Sequence, residues 1–168
     1  AEKAVFRIAT INVYGFKNPW KRQSNAKDLA NLLRPLDLDL VAVQEANNSE
    51  SLKIFQQHLQ LQHLIFGASY VPQEGNAIIS RYPFRFHELH VSDHRCRGGT
   101  RSMLRFQLEN DDHPFLSNRN FAVTHLDHLN EDDRLAQMTT FAPHLTDTNL
   151  LMADMNAITR EDYSDQYY

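Results

Sequence analysis

Apolar and polar positions along this chain switch between two periods, and the switches divide it into elements. Val5 to Val13 is a β-branched run closing on Asn12-Val13, and it predicts a first strand. A loop containing Gly15 and Pro19 follows from Tyr14 to Gln23. From Ser24 the period lengthens. Leu29, Leu32, Leu33 and Leu36 recur at i, i+3, i+4 and i+7, the stripe of an amphipathic helix that Pro35 and the aspartates after it terminate. Leu38 to Gln44 is almost wholly apolar, as a strand covered on both faces should be. Ser49 stands where an N-cap belongs, ahead of a second helix with Leu52, Phe55 and Leu59 facing inward.

The pattern then becomes strand-rich, with candidates at 64–66, 77–81, 86–91, 102–108 and 119–126. Met103 to Leu108 alternates in part, which suits a sheet with one wet face. Asn130 caps a third helix whose first turn, Glu131-Asp132-Asp133, complements the helix dipole. Leu135, Met138 and Phe141 would face the core, with Leu145 beyond Pro143. Asn149 to Ala153 reads as a final buried strand, and a polar tail runs from Ile158 to Tyr168. Helices separate the early strands and short turns join the middle ones. This predicts an α/β fold with parallel and antiparallel pairs and helices outside. No repeat, low-complexity tract or linker interrupts residues 1–168, so one domain is expected.

Composition narrows the function classes. Apolar residues make up 42% and charged residues 23%, an ordinary globular balance. No run approaches the roughly 18 apolar residues of a membrane span. The start, Ala1-Glu2-Lys3, lacks the apolar core of a secretory signal. Cys96 is the sole cysteine, which excludes an intrachain disulfide and a cysteine metal cluster and leans towards a reducing, intracellular compartment. Net charge is −4, without a general nucleic-acid signature, yet it is unevenly placed. Residues 1–35 carry seven basic and two acidic side chains, residues 81–105 six and two, and residues from 106 onward three and twelve. That suggests a basic rim for phosphates beside an acidic pocket for a cation. A serine hydrolase is disfavoured, because no Gly-x-Ser-x-Gly elbow occurs.

Polar residues gather where apolar runs end, the place where open sheets bind ligands. Asn12 ends the first strand, Gln44-Glu45 the second, His125 the strand Phe121-Ala-Val-Thr-His, and Asp154-Met-Asn156 follows the last. Glu45 can hold a hard divalent cation through oxygen. Asn12 and Asn156 can hold a metal-bound water or a phosphoryl oxygen without adding charge. Asp154 can orient or deprotonate a water, and His125 can stabilise charge building on phosphorus. Each residue type also has a plain structural use, as a turn, a strand exit or an Asx turn. Their occurrence together at successive strand ends is what points to one site. His125 and Asp127, two apart, form either a structural hydrogen bond or a ligand pair.

The ordered set Thr10-Ile-Asn12-Val, Val43-Gln44-Glu45, Gly75-Asn76-Ala-Ile-Ile-Ser-Arg81, Thr124-His125-Leu-Asp127-His128 and Ala153-Asp154-Met-Asn156-Ala resembles the endonuclease/exonuclease/phosphatase superfamily across nearly the whole chain. The resemblance implies a four-layer α/β sandwich, two mixed sheets face to face with helices outside. It implies hydrolysis of phosphodiesters or phosphomonoesters with Mg²⁺ (or Mn²⁺). Substrates across the superfamily include DNA, RNA, inositol phosphates and sphingomyelin. It assigns Glu45 as principal metal ligand assisted by Asn12, Asp154 to the nucleophilic water, Asn156 to the phosphate and His125 to the transition state. Asn76 would be structural or touch substrate, Arg101 would lie near the site, and Arg134 would anchor the helix after the His125 strand. Two departures stand out. Ala153 replaces the usual glycine before Asp-x-Asn, and no Ser-Asp-His element follows Asp154, His144 being the last histidine. A domain incomplete at its C-terminus is therefore expected, with strands missing from the second sheet. A catalytically impaired member acting as a binding or interaction protein is the alternative to an enzyme.

Overall fold

A computed structural model describes residues 5–21, 23–94 and 96–157; the predicted polar tail lies outside the described residues. The first sheet has the order β1-β2-β4-β3, from β1 (Ile8–Asn12), β2 (Leu40–Asn47), β3 (His63–Ala68) and β4 (Glu74–Ser80). β1 and β2 are parallel and the other pairs antiparallel. The second sheet has the order β5-β6-β7-β8, from β5 (Phe84–Val91), β6 (Ser102–Leu108), β7 (Asn120–His125) and β8 (Thr148–Asp154), and only β7 and β8 are parallel. α1 (Ala26–Leu33) and α2 (Glu50–Leu59) cover the first sheet, and α3 (Glu131–Phe141) covers the second. The result is the expected α/β/β/α sandwich of mixed sheets.

β2 sits between β1 and β4 and is covered on both faces, which its unbroken apolar sequence requires. Val41 and Val43 pack towards the helices with Ala77, Ile79, Leu52 and Phe55. Leu40 and Ala42 pack towards the second sheet with Ile78, Leu104, Phe106, Phe121, Val123 and Met152. Phe106 and Phe121 stack within this seam, ring centroids 5.5 Å apart. At one end of β2, fully buried Asp39 accepts from the Arg7 backbone N–H at 2.9 Å and from Arg81 Nε at 2.9 Å. It ties the starts of β1 and β2 to the end of β4.

Four expectations are corrected. In α1, Leu32 is 72% exposed and Leu36 also faces solvent. The buried stripe is Ala26, Leu29, Ala30 and Leu33, because two alanines let the helix approach closely. Leu36 also falls in a 3₁₀ turn (Arg34–Leu36) whose tighter pitch swings it out of the stripe. In α3, Leu135 is exposed and Gln137 is buried instead. Gln137 Oε1 accepts from the Asp127 N–H at 2.9 Å, so a hydrogen bond rather than a methyl group fixes the inner face. β8 is an edge strand with only Met152 fully covered, not a buried one. β1 is shorter than the Val5–Val13 run, and Val5 is exposed. Asn130 caps α3 as expected, accepting from the Asp132 N–H at 2.8 Å. Arg134 donates to the Asp127 carbonyl at 3.2 Å and pairs with Glu131, tying α3 to the loop after β7.

Two stability outcomes follow from this packing. Phe55 is wholly buried against Phe16, centroids 5.2 Å apart. Phe55→Ala should cost about 3–5 kcal/mol, and Leu32→Ala should stay within about 0.5 kcal/mol, both read by urea denaturation. Asp39→Ala should cost about 2–3 kcal/mol by leaving the Arg7 N–H and Arg81 Nε without their acceptor, while Arg81 Nη2 keeps Asp37, and Asp39→Asn should cost less.

Candidate active site

Strand alternation decides which polar residues can meet. In β1, Ile8 faces the seam between the sheets, so Thr10 and Asn12 face it too. In β2, Leu40 and Ala42 carry Gln44 to the same face, and Gln44 Nε2 donates to Thr10 Oγ1 at 2.9 Å. Ile78 in β4 sets Asn76 there, Phe121 and Val123 in β7 set His125, and Met152 in β8 sets Asp154. Glu45 has the opposite parity and would point with Val43 towards the helices. A β-bulge prevents this. Val43 pairs with Ala77 and Ala46 with Gly75, so Gln44 and Glu45 together oppose Asn76. Glu45 takes φ 51° at the bulge, and its carboxylate reaches the seam.

The structure brings the predicted residues together. Asn12 Nδ2 donates at 2.9 Å to Glu45 Oε1 and at 2.9 Å to Asp154 Oδ2, one amide clamping carboxylates from two sheets. Asn12 Oδ1 accepts from the Tyr14 N–H at 3.0 Å. His125 Nε2 lies 3.8 Å from each of those carboxylate oxygens. Asn156, at φ 48°, donates its N–H to Asp154 Oδ1 at 3.0 Å and its side-chain amide to the Leu126 carbonyl at 2.9 Å. Asn156 Nδ2 is also 2.8 Å from His125 Nε2, and Arg101 Nη1 is 3.3 Å from His125 Nδ1. Both neighbours can only donate, and a neutral imidazole has a single bare nitrogen. His125 therefore satisfies one of them at a time. Asn76 is buried and donates to the Ser102 carbonyl of the facing sheet at 3.1 Å, a cross-sheet tie on the cleft wall. Ala153 lies in β8 paired with Thr124, in ordinary extended backbone, so its methyl group is accommodated.

Electrostatics polarises the cluster. Burial and the Arg101 charge hold His125 below its ordinary pKa, against the pull of Asp154 and Glu45, so the imidazole is neutral at pH 7. Burial pushes Asp154 up, but the bonds from Asn12 and Asn156 and the nearby His125 and Arg101 outweigh it and keep the carboxyl below its usual range. Arg101 has no carboxylate in ion-pairing range among the described residues, and its Nε has no partner among them. Asp127 is a loop organiser. It accepts from the Leu129 and Asn130 N–H groups at 2.8 and 3.0 Å and from Cys96 Sγ at 3.2 Å. Cys96, Asp127 and Asp133 hold ligand atoms within 4.8 Å of one another, and burial with the two acids raises the thiol pKa.

Two clefts, of about 400 and 710 Å³, flank the carboxylates. The first contains Glu45, His125 and Arg101 with Tyr14, Lys17 and Tyr70; the second contains Asn12, Asp154 and Asn156. His128 lines both, its Nδ1 3.1 Å from Arg101 Nη2. Sequence reasoning gave no role to His128, Tyr14, Lys17 or Tyr70. His128 was at least visible inside the Thr-His-Leu-Asp-His motif, whereas the others lie in loops without periodicity.

Comparison with known proteins agrees with this fold. No curated protein sequence matches the chain significantly. Solved structures match in fold at low identity. A mannosyl-6-phosphatase from Bacteroides thetaiotaomicron is 16% identical with a TM-score of 0.73, over 92% of this chain and 67% of that one. An endonuclease/exonuclease/phosphatase from Beutenbergia cavernae is 16% identical with a TM-score of 0.72, over 96% and 51%. A humanized D. rerio TDP2 is 16% identical with a TM-score of 0.67, over 95% and 65%. This chain thus spans about half to two thirds of the length of these structures. A family model for the Endonuclease/Exonuclease/phosphatase family matches residues 9–163, and the chain belongs to that family.

Proposed function

We propose that this chain carries the site of a divalent-metal-dependent hydrolase acting on phosphodiesters, nucleic acid among them, by in-line attack of water. The observation that carries the reading is Arg101, a cation with no carboxylate in ion-pairing range among the described residues, beside His125 in the same cleft as Glu45 and close to Asp154. An unpaired guanidinium facing two carboxylates suits an anion that also touches a second cation. The clefts on either side of the carboxylates favour a diester over a monoester, since each ester arm has a place to lie.

The donor set fits Mg²⁺ or Mn²⁺. Glu45 and Asp154 offer hard oxygens at strand ends and are partly exposed, and Mg²⁺ commonly takes one or two protein carboxylates. Glu45 would hold the ion, and Asn12 would keep the two carboxylates together. When bound, the ion would neutralise charge on the phosphoryl oxygens and lower the pKa of a water beside them. Asp154, ionised and steadied by Asn12 and the Asn156 N–H, orients that water and accepts its proton. Arg101 binds the phosphate. Its Nη1, lying against His125 Nδ1, favours the tautomer with the proton on Nε2, where the imidazole can donate to a phosphoryl oxygen as charge builds there. The Asn156 amide keeps one hydrogen for the same oxygens after bonding Leu126. Asn76 supports the wall from behind.

Hydrolysis of bis(p-nitrophenyl) phosphate tests this reading, run with Mg²⁺ or Mn²⁺ and with chelator. Turnover should require the metal, vanish in Glu45→Gln, and fall about 10²–10⁴-fold in Asp154→Asn. Turnover indifferent to chelator would sink the metal reading. Folded chain that binds Mg²⁺ and phosphate without turnover would instead support a binding protein built on the same site. Arg101→Ala should raise KM at least tenfold, whereas His125→Ala should act mainly on kcat, lowering it about 10²-fold. Equal effects of the two variants on KM would remove the division of labour described above.

A further inference from the structure

A second group of ligating side chains takes no part in the chemistry described above. Cys96 lies in the connection between β5 and β6, Asp127 in the loop after β7, and Asp133 in the first turn of α3. Each offers one ligand atom, and these atoms lie within 4.8 Å of one another. Three separate segments thus bring a sulfur and two carboxylate oxygens to one point. Asp127 is wholly buried, and its two oxygens are served unequally. Oδ1 accepts from the Leu129 and Asn130 N–H groups at 2.8 and 3.0 Å. Oδ2 meets only the Cys96 thiol, at 3.2 Å, among the described residues. That thiol has a single, weakly donated hydrogen, and the Gly99 carbonyl competes for it at 2.8 Å. Burial pushes the Asp127 carboxyl up, but the loop N–H groups and the thiol outweigh it and keep the group ionised. A buried anionic oxygen therefore faces the cluster with less than one full hydrogen bond, where buried charges ordinarily meet a cation. A Cβ on Gly98 would lie 1.8 Å from that oxygen, so only glycine leaves it open.

We propose that Cys96, Asp127 and Asp133 form a binding site for a borderline-soft divalent cation of the Zn²⁺ type, separate from Glu45 and Asp154. One thiolate beside two carboxylates is a mixed soft and hard donor set, which suits Zn²⁺ and not Mg²⁺, a cation that takes oxygen throughout. A lone cysteine cannot build a cysteine cluster, but here the oxygens complete the set and water takes the fourth tetrahedral position. Binding exchanges a proton for the metal: the S–H bond breaks, the metal–sulfur bond forms, the proton leaves to solvent, and no electrons change hands. The surroundings suit ligation. Gln137 Nε2 lies 3.5 Å from Cys96 Sγ as a donor, while Gln137 Oε1 holds the Asp127 N–H at 2.9 Å. His94 Nε2 is 2.5 Å from Asp133 Oδ1 and orients that carboxylate from outside. Hydrogen bonds to ligating atoms commonly fix metal sites in this way. Cys96 and Asp133 keep part of their surface in solvent, so an ion has a way in. The ion would fasten the connection leading into Arg101 to the loop following His125 and to α3. The site stands whether or not the phosphoesterase reading does.

Co²⁺ titration of the whole, reduced chain reads the sulfur directly. A near-ultraviolet thiolate-to-metal charge-transfer band should grow in and be bleached by Zn²⁺. Cys96→Ser should abolish the band, and Asp133→Asn should weaken Co²⁺ binding about tenfold or more. Glu45→Gln should leave both the band and the affinity unchanged. Circular dichroism checks that each variant is folded. In the wild-type chain Zn²⁺ should also protect Cys96 from a thiol reagent until chelator is added. Folded wild-type chain that shows neither band nor protection would overturn the site. Affinity unmoved in Asp133→Asn would overturn it too, leaving an adventitious contact at one cysteine. So would a band lost in Glu45→Gln, which would put the ion at the Glu45 end of the fold instead.

Discussion

A strand can offer a side chain to the space between two sheets only at every second position, and the whole candidate site obeys or circumvents that limit. Asn12, Gln44, Asn76, His125 and Asp154 share the parity of the apolar residues that fill the seam. Each continues a hydrophobic row with a polar residue, at the end of the sandwich where the apolar fill stops. Burying the row and positioning the site are therefore one event: the register that hides Ala42, Ile78, Val123 and Met152 also aims the polar residues. Glu45 alone breaks parity, and the fold spends a bulge and a left-handed residue to bring it round.

The charges of the site arrive from opposite directions and are held apart until something bridges them. Asn12 gathers the negative side, two carboxylates from different sheets on one amide. Arg101 supplies the positive side from the start of β6, with two imidazoles and no acid in reach among the described residues. His125 stands between them, neutral, with more donors around it than it can satisfy. Such an arrangement is unfavourable in isolation, and partial mismatch of this kind is common at functional sites. The uneven charge along the sequence shows up here on a small scale, with Lys17 and Arg101 on the cleft wall beside the acidic cluster.

Much of this was legible in the chain because local and global signals agreed. A β-branched run closing on asparagine, or an apolar run closing on Thr-His, marks both a strand and the end where the candidate site gathers, and residues 8–12, 40–47 and 120–125 folded accordingly. Legibility failed where a neighbour in space outweighed the period. Leu32 satisfies a helical stripe, but alanines two and six positions away define the face that reaches the sheet. Leu135 lost its place to Gln137 because the Asp127 N–H needed an acceptor. Leu150 reads as core but lies on an edge strand, and edge position is a property of sheet order, which no single segment contains. The inward turn of Glu45 could not be read either, since a bulge is a relation between β2 and its partner. Tyr14 and Tyr70 had no periodic context, and their common cleft exists only after the two loops converge.

The bulge also has an evolutionary reading. What places the Glu45 carboxylate is the number of residues between Val43 and Ala46, not only their identity. Removing Gln44 from that interval would restore an unbroken ladder with β4 and relieve the left-handed backbone, but it would draw the glutamate back along the strand into the place Gln44 now holds beside Thr10. Among sequence relatives, the spacing between the two apolar flanks is a sharper marker of a retained site than the presence of a glutamate alone.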